Sequence, residues 1–485
     1  MQSIEQTPLR DPASFRDPSG YVFRAGTQIY RTVNPAGYDD FELVRKTGVI
    51  DALVQEKLLI RTEMLTPQEC NLNSFTGARG EVPRLLLRHP FIPFISHPYE
   101  WTFSQLQDAA LAQLDLQICA LDHGVILSDA SPYNMQFFED AVLHIDVLSL
   151  KPYVEGQAWH GYHQFCRLFL LPLLIESWRG IPFQTFLRGG LEGVAIPDAA
   201  RLLPRWRVWT SLNGIIHVIV QSRLVAGNDS TKRHKRNKPV ANLPMPRYRA
   251  LLTEMRRWTS GLRSGRRDSS FWGRYAKRNT YSDSQSNMKK AFVTRWANES
   301  GVSSVWDIGG NTGVYAEAAL RGGAGLAVIL DSDLDSLEAA FLKRKQGVNL
   351  LPIVMDIADP SPSLGWNQRE RGGLDQRSRP DGVIALAVLH HLVIGRNLPL
   401  SEVLHWIISL AATGIIEFVP KNDPMVVEML LGRDDIFQDY NEDSFRRIIG
   451  ECTSSCEELR LGDEGRLMLA FSHNRAKGAD LKLDG

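Results

Sequence analysis

The sequence has few of the features that mark a secreted, disulfide-linked or membrane-spanning chain. Only five of its 485 residues are cysteine. They are scattered, without the two spaced pairs of a zinc site, so no metal site is expected. An odd number of cysteines without a disulfide framework indicates reduced thiols and predicts a cytoplasmic location. The longest apolar run, LFLLPLLI at 168–175, falls far short of the roughly 20 residues of a membrane helix, so no membrane span is expected.

The molecule also lacks net charge, because 55 Lys and Arg residues balance 55 Asp and Glu residues. A neutral chain is not adapted as a whole to nucleic acid, and no nucleic-acid partner is expected. One segment carries an excess of positive charge, since 223–295 contains 19 basic and four acidic residues. This basic segment is either a solvated connector with charged helix faces or a docking surface for an anionic partner.

The length predicts more than one domain, since a typical domain has about 150 residues. A polar, basic, proline-bearing stretch at 227–246 interrupts the pattern and indicates an exposed linker. The sequence therefore predicts four segments. They are an α+β domain at 1–225, a basic linker and helix at 226–269, an α/β domain at 270–473, and a polar tail at 474–485.

The α/β domain alternates apolar, strand-like runs with helix-like runs. The strand-like runs are SVWDI, LAVILD, LLPIVMD, DGVIALAVL and ATGIIEFV, and the helix-like runs include VYAEAALRGG, DLDSLEAAFLKRK and PLSEVLHWIISL. Such alternation predicts a mostly parallel, doubly wound sheet covered by helices on both faces.

Three successive strand-like runs of this domain end in an acid: Asp307, Asp331 and Asp356. After Asp307 the chain turns through Gly309, Gly310 and Gly313, where the absence of a Cβ lets a ligand approach the backbone. An acid about 20 residues beyond such a turn accepts hydrogen bonds from ribose hydroxyls, which suits Asp331. A carboxylate at Asp356 is placed to accept from an adenine amino group. We therefore expect an adenosine-containing cofactor.

The turn departs from the G-x-G-x-x-G pattern of dinucleotide sites, because Asn311 and Val314 occupy the later glycine positions. The pattern D-x-G-x-N-x-G instead resembles motif I of class I S-adenosylmethionine-dependent methyltransferases, with Asn311 at a position where that family usually has glycine. The resemblance continues through DGVIALAVLHHL and GIIEFVPK, which look like its fourth and fifth strands. It implies a C-terminal, Rossmann-like methyltransferase domain with S-adenosyl-L-methionine as cofactor. The implied cofactor-binding residues are Asp307, Gly309, Asn311, Gly313, Asp331 and Asp356.

Methyl transfer to oxygen or nitrogen also requires that the acceptor lose a proton. His390 and His391 follow the fourth strand-like run, and Glu417 ends the fifth. All three are candidate catalytic residues. The alternative is that the two histidines cap a strand, one packed and the other hydrogen-bonded, while Glu417 lines a pocket without acting as a base.

The N-terminal domain carries a second constellation in HGVILSDASPYNMQFFEDAVLHIDVL at 123–148. Asp129, Asn134 and Asp146 resemble the catalytic-loop Asp and Asn and the metal-binding Asp of protein kinases. Leu127 and Ser128 replace the usual His-Arg, and no glycine-rich phosphate loop precedes them. A degenerate kinase-like domain that scaffolds or selects the methyl acceptor is therefore predicted, with an active phosphotransferase and a non-catalytic adaptor as alternatives.

Several further stretches extend a resemblance along nearly the whole chain. They are FISHPYEW, SDASPYN, DIADPSPSLGW, LHHL, EFVPK and DIFQDY. They resemble a bacterial family of rhizobial host-specific nodulation proteins. The resemblance implies a cytoplasmic protein that affects which legume hosts are nodulated. It leaves a small molecule, a glycolipid or a protein open as the methyl acceptor.

Overall fold

The computed structural model describes residues 7–66, 69–77, 80–157, 159–223, 243–266, 283–432, 434–462 and 465–473. Two parts of the predicted linker and helix segment, at 226–242 and 267–269, and the predicted tail at 474–485 lie outside these ranges. The chain divides into two compact units. The first unit comprises Met1–Arg267 and Pro362–Asp375, and the second comprises Asp268–Ser361 and Gln376–Gly485. A short excursion from the second half of the sequence thus belongs to the first unit.

The first unit begins with an antiparallel sheet in the order β1-β2-β3-β5-β4. Its strands are β1 Leu9–Arg10, β2 Val22–Ala25, β3 Gln28–Val33, β4 Glu63–Met64 and β5 Leu85–His89. Two small antiparallel pairs follow, formed by β6 Val125–Leu127 with β9 Leu150–Pro152 and by β7 Met135–Phe138 with β8 Ala141–His144. One apolar cluster joins β3 and β5 to the first helices and to β6 and β9.

Helices make up most of the remainder of the first unit. They are α1 Pro35–Lys46, α2 Val49–Gln55, α3 Phe103–Asp122, α4 Tyr162–Phe165, α5 Leu171–Arg179, α6 Gln184–Gly189, α7 Ile196–Leu202, α8 Arg205–Thr210, α9 Leu212–Gly214 and α10 Met245–Ser260, with π-helical turns at Cys166–Leu170 and Ile215–Val220. The N-cap residue of helix α3 is Thr102, whose hydroxyl accepts from the Gln105 N–H in a capping box. Helix α10 packs on α3, where Arg249 pairs with Asp122 and Arg256 pairs with Asp115.

The second unit is built on a seven-stranded sheet. Its strands are β10 Ser304–Ile308, β11 Leu326–Asp331, β12 Leu350–Val354, β13 Gly382–Ala385, β14 Thr413–Phe418, β15 Ser455–Leu461 and β16 Arg466–Ser472, in the order β12-β11-β10-β13-β14-β16-β15. The pairs from β12 to β14 are parallel, whereas β16 is antiparallel to both β14 and β15. The strand order reverses at β10, which is where a doubly wound sheet opens its ligand crevice.

The helices of the second unit alternate with the parallel strands, as the sequence predicts. They are α11 Asp283–Ser300, α12 Val314–Arg321, α13 Leu334–Arg344, α14 Leu400–Leu410, α15 Pro424–Leu430 and α16 Glu442–Cys452, with a π-helical turn at His391–Gly395. Small residues on α12 let it pack closely on the sheet, since Ala316, Ala318 and Ala319 are fully buried in the core. An α/β protein with a mixed sheet is therefore confirmed. In the described residues, no helix combines the length and apolar character that crossing a membrane requires.

Candidate functional site

The turn after β10 adopts a backbone that few side chains allow. Gly309, Asn311 and Gly313 have φ values of 68°, 50° and 78°, in the left-handed region that glycine and asparagine tolerate best. The N–H of Gly309 still donates to the Leu330 carbonyl at 2.8 Å. A Cβ on Gly310 would lie 2.6 Å from the carboxyl carbon of Asp307. The glycines therefore let the chain fold back tightly over the end of β10.

Asp331, at the end of β11, joins its strand to this turn. One carboxylate oxygen accepts from the Asn311 backbone N–H and the other from the Asp333 N–H, both at 2.9 Å. Burial raises the pKa of Asp331, while these two backbone donors lower it. The carboxylate is thus held at the mouth of the crevice, beside the glycine turn.

Asp307 lies deeper than Asp331 and is almost completely buried. Its carboxylate accepts from the Ala316 N–H at 3.1 Å, in the first turn of α12. Burial raises the pKa of Asp307 to about 7, and the nearby charge of Asp331 adds to this rise. Asp307 consequently ties the end of β10 to the helix that follows the turn.

Asp356 follows β12, the third of the adjacent parallel strands. It accepts from the Ala358 N–H at 3.0 Å and forms an ion pair with Arg396. The structure therefore places the three predicted acids at or just beyond the same ends of neighbouring strands. Gly309, Asn311 and Gly313 lie in the turn after β10, with Asp307 and Asp331 at the adjoining ends of β10 and β11, whereas Asp356 lies beyond the end of β12.

His390 and His391 lie beyond β13, at the start of a π-helical turn. Their ring centroids are 4.1 Å apart. Burial is the main cause that holds the pKa of His390 well below its ordinary value, and the charges of His391, Arg466 and Lys289 lower it further. Burial lowers the pKa of His391 to about 4. Both imidazoles are therefore neutral near pH 7, and His391 is the more exposed of the two.

Glu417, on β14, is fully buried and does not stand alone. Both of its oxygens accept from the Lys289 ammonium, at 2.6 and 2.7 Å. Arg466 lies 3.6 Å from the same carboxylate and also pairs with buried Asp423. Burial lowers the pKa of Lys289 against the opposing attraction of Glu417. The role of Glu417 as a catalytic base remains a prediction, and its carboxylate is engaged in a buried ion-pair network.

Sequence reasoning missed Lys289 and Arg396, the partners of Glu417 and Asp356. The pattern of α11 contains a signal for Lys289, because it precedes Phe292, Val293 and Trp296 at the spacing of one helical face. Those three apolar residues are buried. A lysine on an apolar face indicates a buried acidic partner, although the helix alone does not identify that partner.

The second constellation is assembled within the first unit. The Asn134 amide donates to the Asp129 carboxylate at 3.2 Å. Asp146 accepts from Arg31 at 3.1 Å, and Arg31 also pairs with Asp17 at 2.6 Å. Burial is the main cause that raises the pKa of Asp129, and the nearby charge of Asp146 raises it further. In the described ranges, no group of three or more His, Cys, Asp or Glu side chains is arranged to hold a metal ion.

The strand order and the glycine turn give the second unit the fold of class I methyltransferases. The chain as a whole belongs to the family of the nodulation protein NoeA. It is 41% identical to NoeA of Rhizobium meliloti (strain 1021) over 446 residues, which cover 92% of each chain. No family model matches the sequence.

The solved structures that are similar to part of the chain include two methyltransferases. One is magnesium protoporphyrin IX methyltransferase (ChlM) from Synechocystis PCC 6803 with bound SAH. It is 18% identical, with 46% of this chain and 95% of that chain covered and a TM-score of 0.28. The other is the N-methyltransferase NodS from Bradyrhizobium japonicum WM9. It is 14% identical, with 39% and 97% covered and a TM-score of 0.29.

Proposed function

We propose that this protein is an S-adenosyl-L-methionine-dependent methyltransferase that acts in host-specific nodulation. The observation that carries the proposal is the link between the glycine turn and the Asp331 carboxylate, 2.9 Å from the Asn311 N–H. This link places an acid for ribose beside a backbone that a ligand is able to approach closely. The family relationship to NoeA supports the nodulation context.

The residues present fit such a cofactor. The turn from Gly309 to Gly313 would face the methionine part, Asp331 would accept from the ribose hydroxyls, and Asp356 would accept from the adenine amino group. The bound cofactor supplies an activated methyl group on its sulfonium. The protein then has to align an acceptor and exclude water.

The acceptor would meet the protein near His390 and His391. A neutral imidazole is able to take a proton from an oxygen or nitrogen acceptor as the methyl group arrives. His391 is the better placed candidate, because it is partly exposed whereas His390 is buried. The expected acceptor is therefore a hydroxyl or amine on a small molecule, a glycolipid or a protein.

For the first unit, we propose a degenerate kinase-like domain that helps to select the acceptor. Contact between Asp129 and Asn134 supports the likeness to a kinase catalytic loop. The ion pair of Arg31 with Asp146 weakens the case for phosphoryl transfer, because it engages the carboxylate that would hold magnesium.

Transfer of labelled methyl groups tests the proposed activity. Extracts of a nodulating bacterium that lacks the protein would be incubated with methyl-labelled cofactor, with and without the purified full chain. A new labelled product is expected only when the protein is present, and its identity would reveal the acceptor. His391→Ala should slow labelling while leaving cofactor binding intact. Equal labelling with and without the protein would contradict the proposal.

A further inference from the structure

A cavity of about 590 Å³ lies in the first unit, where the end of α10 meets residues of α5 and α8. Its lining includes Arg207, Arg257, Arg263, Trp178 and Trp258, and none of the described residues that line it is acidic. The volume is in the range of small-molecule sites. The cavity shares no residue with the Asp129 loop or with the proposed cofactor site. Neither of those two sites explains the residues that line the cavity.

The aromatic wall of the cavity is held in place from behind. The rings of Trp178 and Trp258 are 6.3 Å apart, and the His217 ring stacks on Trp258 at 5.8 Å. His217 is fixed in turn by a 2.7 Å hydrogen bond with the Tyr162 hydroxyl. Burial lowers the pKa of His217 to about 4, so this ring is neutral near pH 7. The two indole planes are inclined at 58° to each other, so they offer two preformed aromatic faces against which a ring is able to pack.

The three guanidinium groups differ in how far they are already engaged. Arg257 pairs with Glu254 through two hydrogen bonds. Arg263 donates to the carbonyls of Ser260 and Leu262, at the end of α10. This contact offsets the negative end of the helix dipole. Arg207 has no carboxylate partner in the described part of the chain, and its guanidinium only lies over the Trp206 ring at 5.2 Å.

We propose that this cavity binds a small phosphorylated ring compound. Guanidinium groups present planar, paired N–H donors that match phosphate oxygens, so Arg207 would make the principal ionic contact. Arg257 and Arg263 would add positive potential, while Trp178 and Trp258 would pack against the ring. Arg257 and Arg263 belong to the basic segment 223–295, for which a docking surface for an anionic partner is one of the two interpretations. It is independent of the proposed methyl transfer.

Isothermal titration of the full chain tests this proposal with three probes. Phenyl phosphate carries an aromatic ring, glucose 6-phosphate carries a sugar ring, and inorganic phosphate carries none. At least one ring compound should bind about ten-fold or more tightly than inorganic phosphate, since ring packing adds to the ionic contact. The preferred ring distinguishes an aromatic from a sugar ligand.

Two arginines of α8 provide a matched pair of variants. Arg207→Gln should weaken binding of the preferred probe by about ten-fold or more, because it removes a charge-assisted hydrogen bond. Arg205→Gln removes an exposed charge two residues away, outside the cavity lining, and should leave affinity unchanged. If Arg207→Gln does not retain the native circular dichroism spectrum, Arg207→Lys tests the same contact, since it keeps the charge but loses the planar fork.

Three results would overturn the proposal. They are failure of both ring compounds to bind at millimolar concentration, inorganic phosphate binding as tightly as the tighter of the two ring compounds, and equal affinity of the wild-type chain and the Arg207 variant. None of them bears on whether the second unit binds its cofactor.

Discussion

Each unit contains an aspartate that accepts a hydrogen bond from an asparagine, and the two pairs are held differently. In the second unit, Asp331 accepts from the backbone of Asn311 and sits at the end of a parallel strand. In the first unit, Asp129 accepts from the side chain of Asn134, within a loop. The end of a parallel strand beside a glycine turn is a position that the strand pattern predicts. The Asp129 carboxylate lies in a loop, where Gln164 and the charge of Asp146 also act on it from more distant parts of the chain, so the spacing of the loop residues predicts less about its chemistry.

The largest difference in stability is expected between a buried lysine of the second unit and an exposed lysine of the first. Lys289→Met would leave Glu417 buried without its ammonium partner, and loss of one member of such a pair typically costs about 3–5 kcal/mol. The first unit offers a control in the exposed pair of Lys57 with Asp140. Lys57→Met should have no measurable effect, because water screens that pair. Urea unfolding of the full chain followed by circular dichroism measures both variants.

The Lys289 prediction has a further check. Replacing both charges, in Lys289→Met with Glu417→Leu, should recover much of the lost stability, since no uncompensated charge remains. If Lys289→Met unfolded at the same urea concentration as the wild type, Glu417 would not depend on this partner.

The pH dependence of stability should reveal the buried Asp307. Its pKa is raised to about 7 in the folded protein, against about 3.9 for an unperturbed aspartate. The folded state therefore binds a proton more tightly than the unfolded state. Protonation of Asp307 therefore contributes to the free energy of unfolding. This stabilisation is fully present below about pH 4 and is lost as the pH rises through 7. Asp307→Asn should flatten that decline in a series of thermal melts from pH 5 to pH 8, and a slope like that of the wild type would contradict the assignment.

The glycine turn offers a steric test of the second unit. Gly310→Ala would place a Cβ 2.6 Å from the Asp307 carboxyl carbon, and the strain should destabilise the chain by about 1–3 kcal/mol. Gly450→Ala is the matched control, because a Cβ there meets nothing within 4 Å and the site lies in α16. That substitution should be neutral or slightly stabilising. Equal unfolding midpoints for the two variants would show that the turn is not tightly packed.

The smallest effect is expected in the first unit, at the excursion 362–375. Arg371 is buried and donates to the Tyr133 hydroxyl at 3.0 Å. Arg371→Ala should lower the free energy of unfolding by about 1–2 kcal/mol, because it removes the hydrogen bond that the charged guanidinium donates to the Tyr133 hydroxyl. Arg369, two residues earlier, is exposed, and its guanidinium lies over the rings of Phe15 and Trp366. Arg369→Ala should lower the thermal midpoint less than Arg371→Ala does. A larger loss for Arg369→Ala would contradict the role of Arg371 in holding residues 362–375 in place.

Sequence patterns predict the second unit well wherever an apolar run ends in an acid and a turn. The runs SVWDI and LAVILD coincide with β10 and β11. The run predicted through Leu389 is wrong at its end, because β13 stops at Ala385 and Ala387 takes a positive φ of 50°. The hairpin of β15 and β16 was missed, although it completes the sheet.

In the candidate site, too, the sequence predicts contacts between nearby residues better than contacts between distant ones. The acids and glycines of the turn are close in sequence, so their spacing predicts their meeting. Lys289 and Glu417 are 128 residues apart, and no local pattern pairs them. The excursion is similarly hidden, because its anchor on Tyr133 depends on contacts between distant parts of the chain.

Equilibrium binding of S-adenosyl-L-methionine to the full chain tests the central claim most directly. The wild-type protein should bind it, and Asp331→Ala should weaken binding by about 1–3 kcal/mol, or roughly five- to 150-fold. Glu402→Ala removes an exposed acid of α14 and should bind as the wild type does. No binding by the wild-type chain, or equal affinity of the Asp331 variant, would contradict the account.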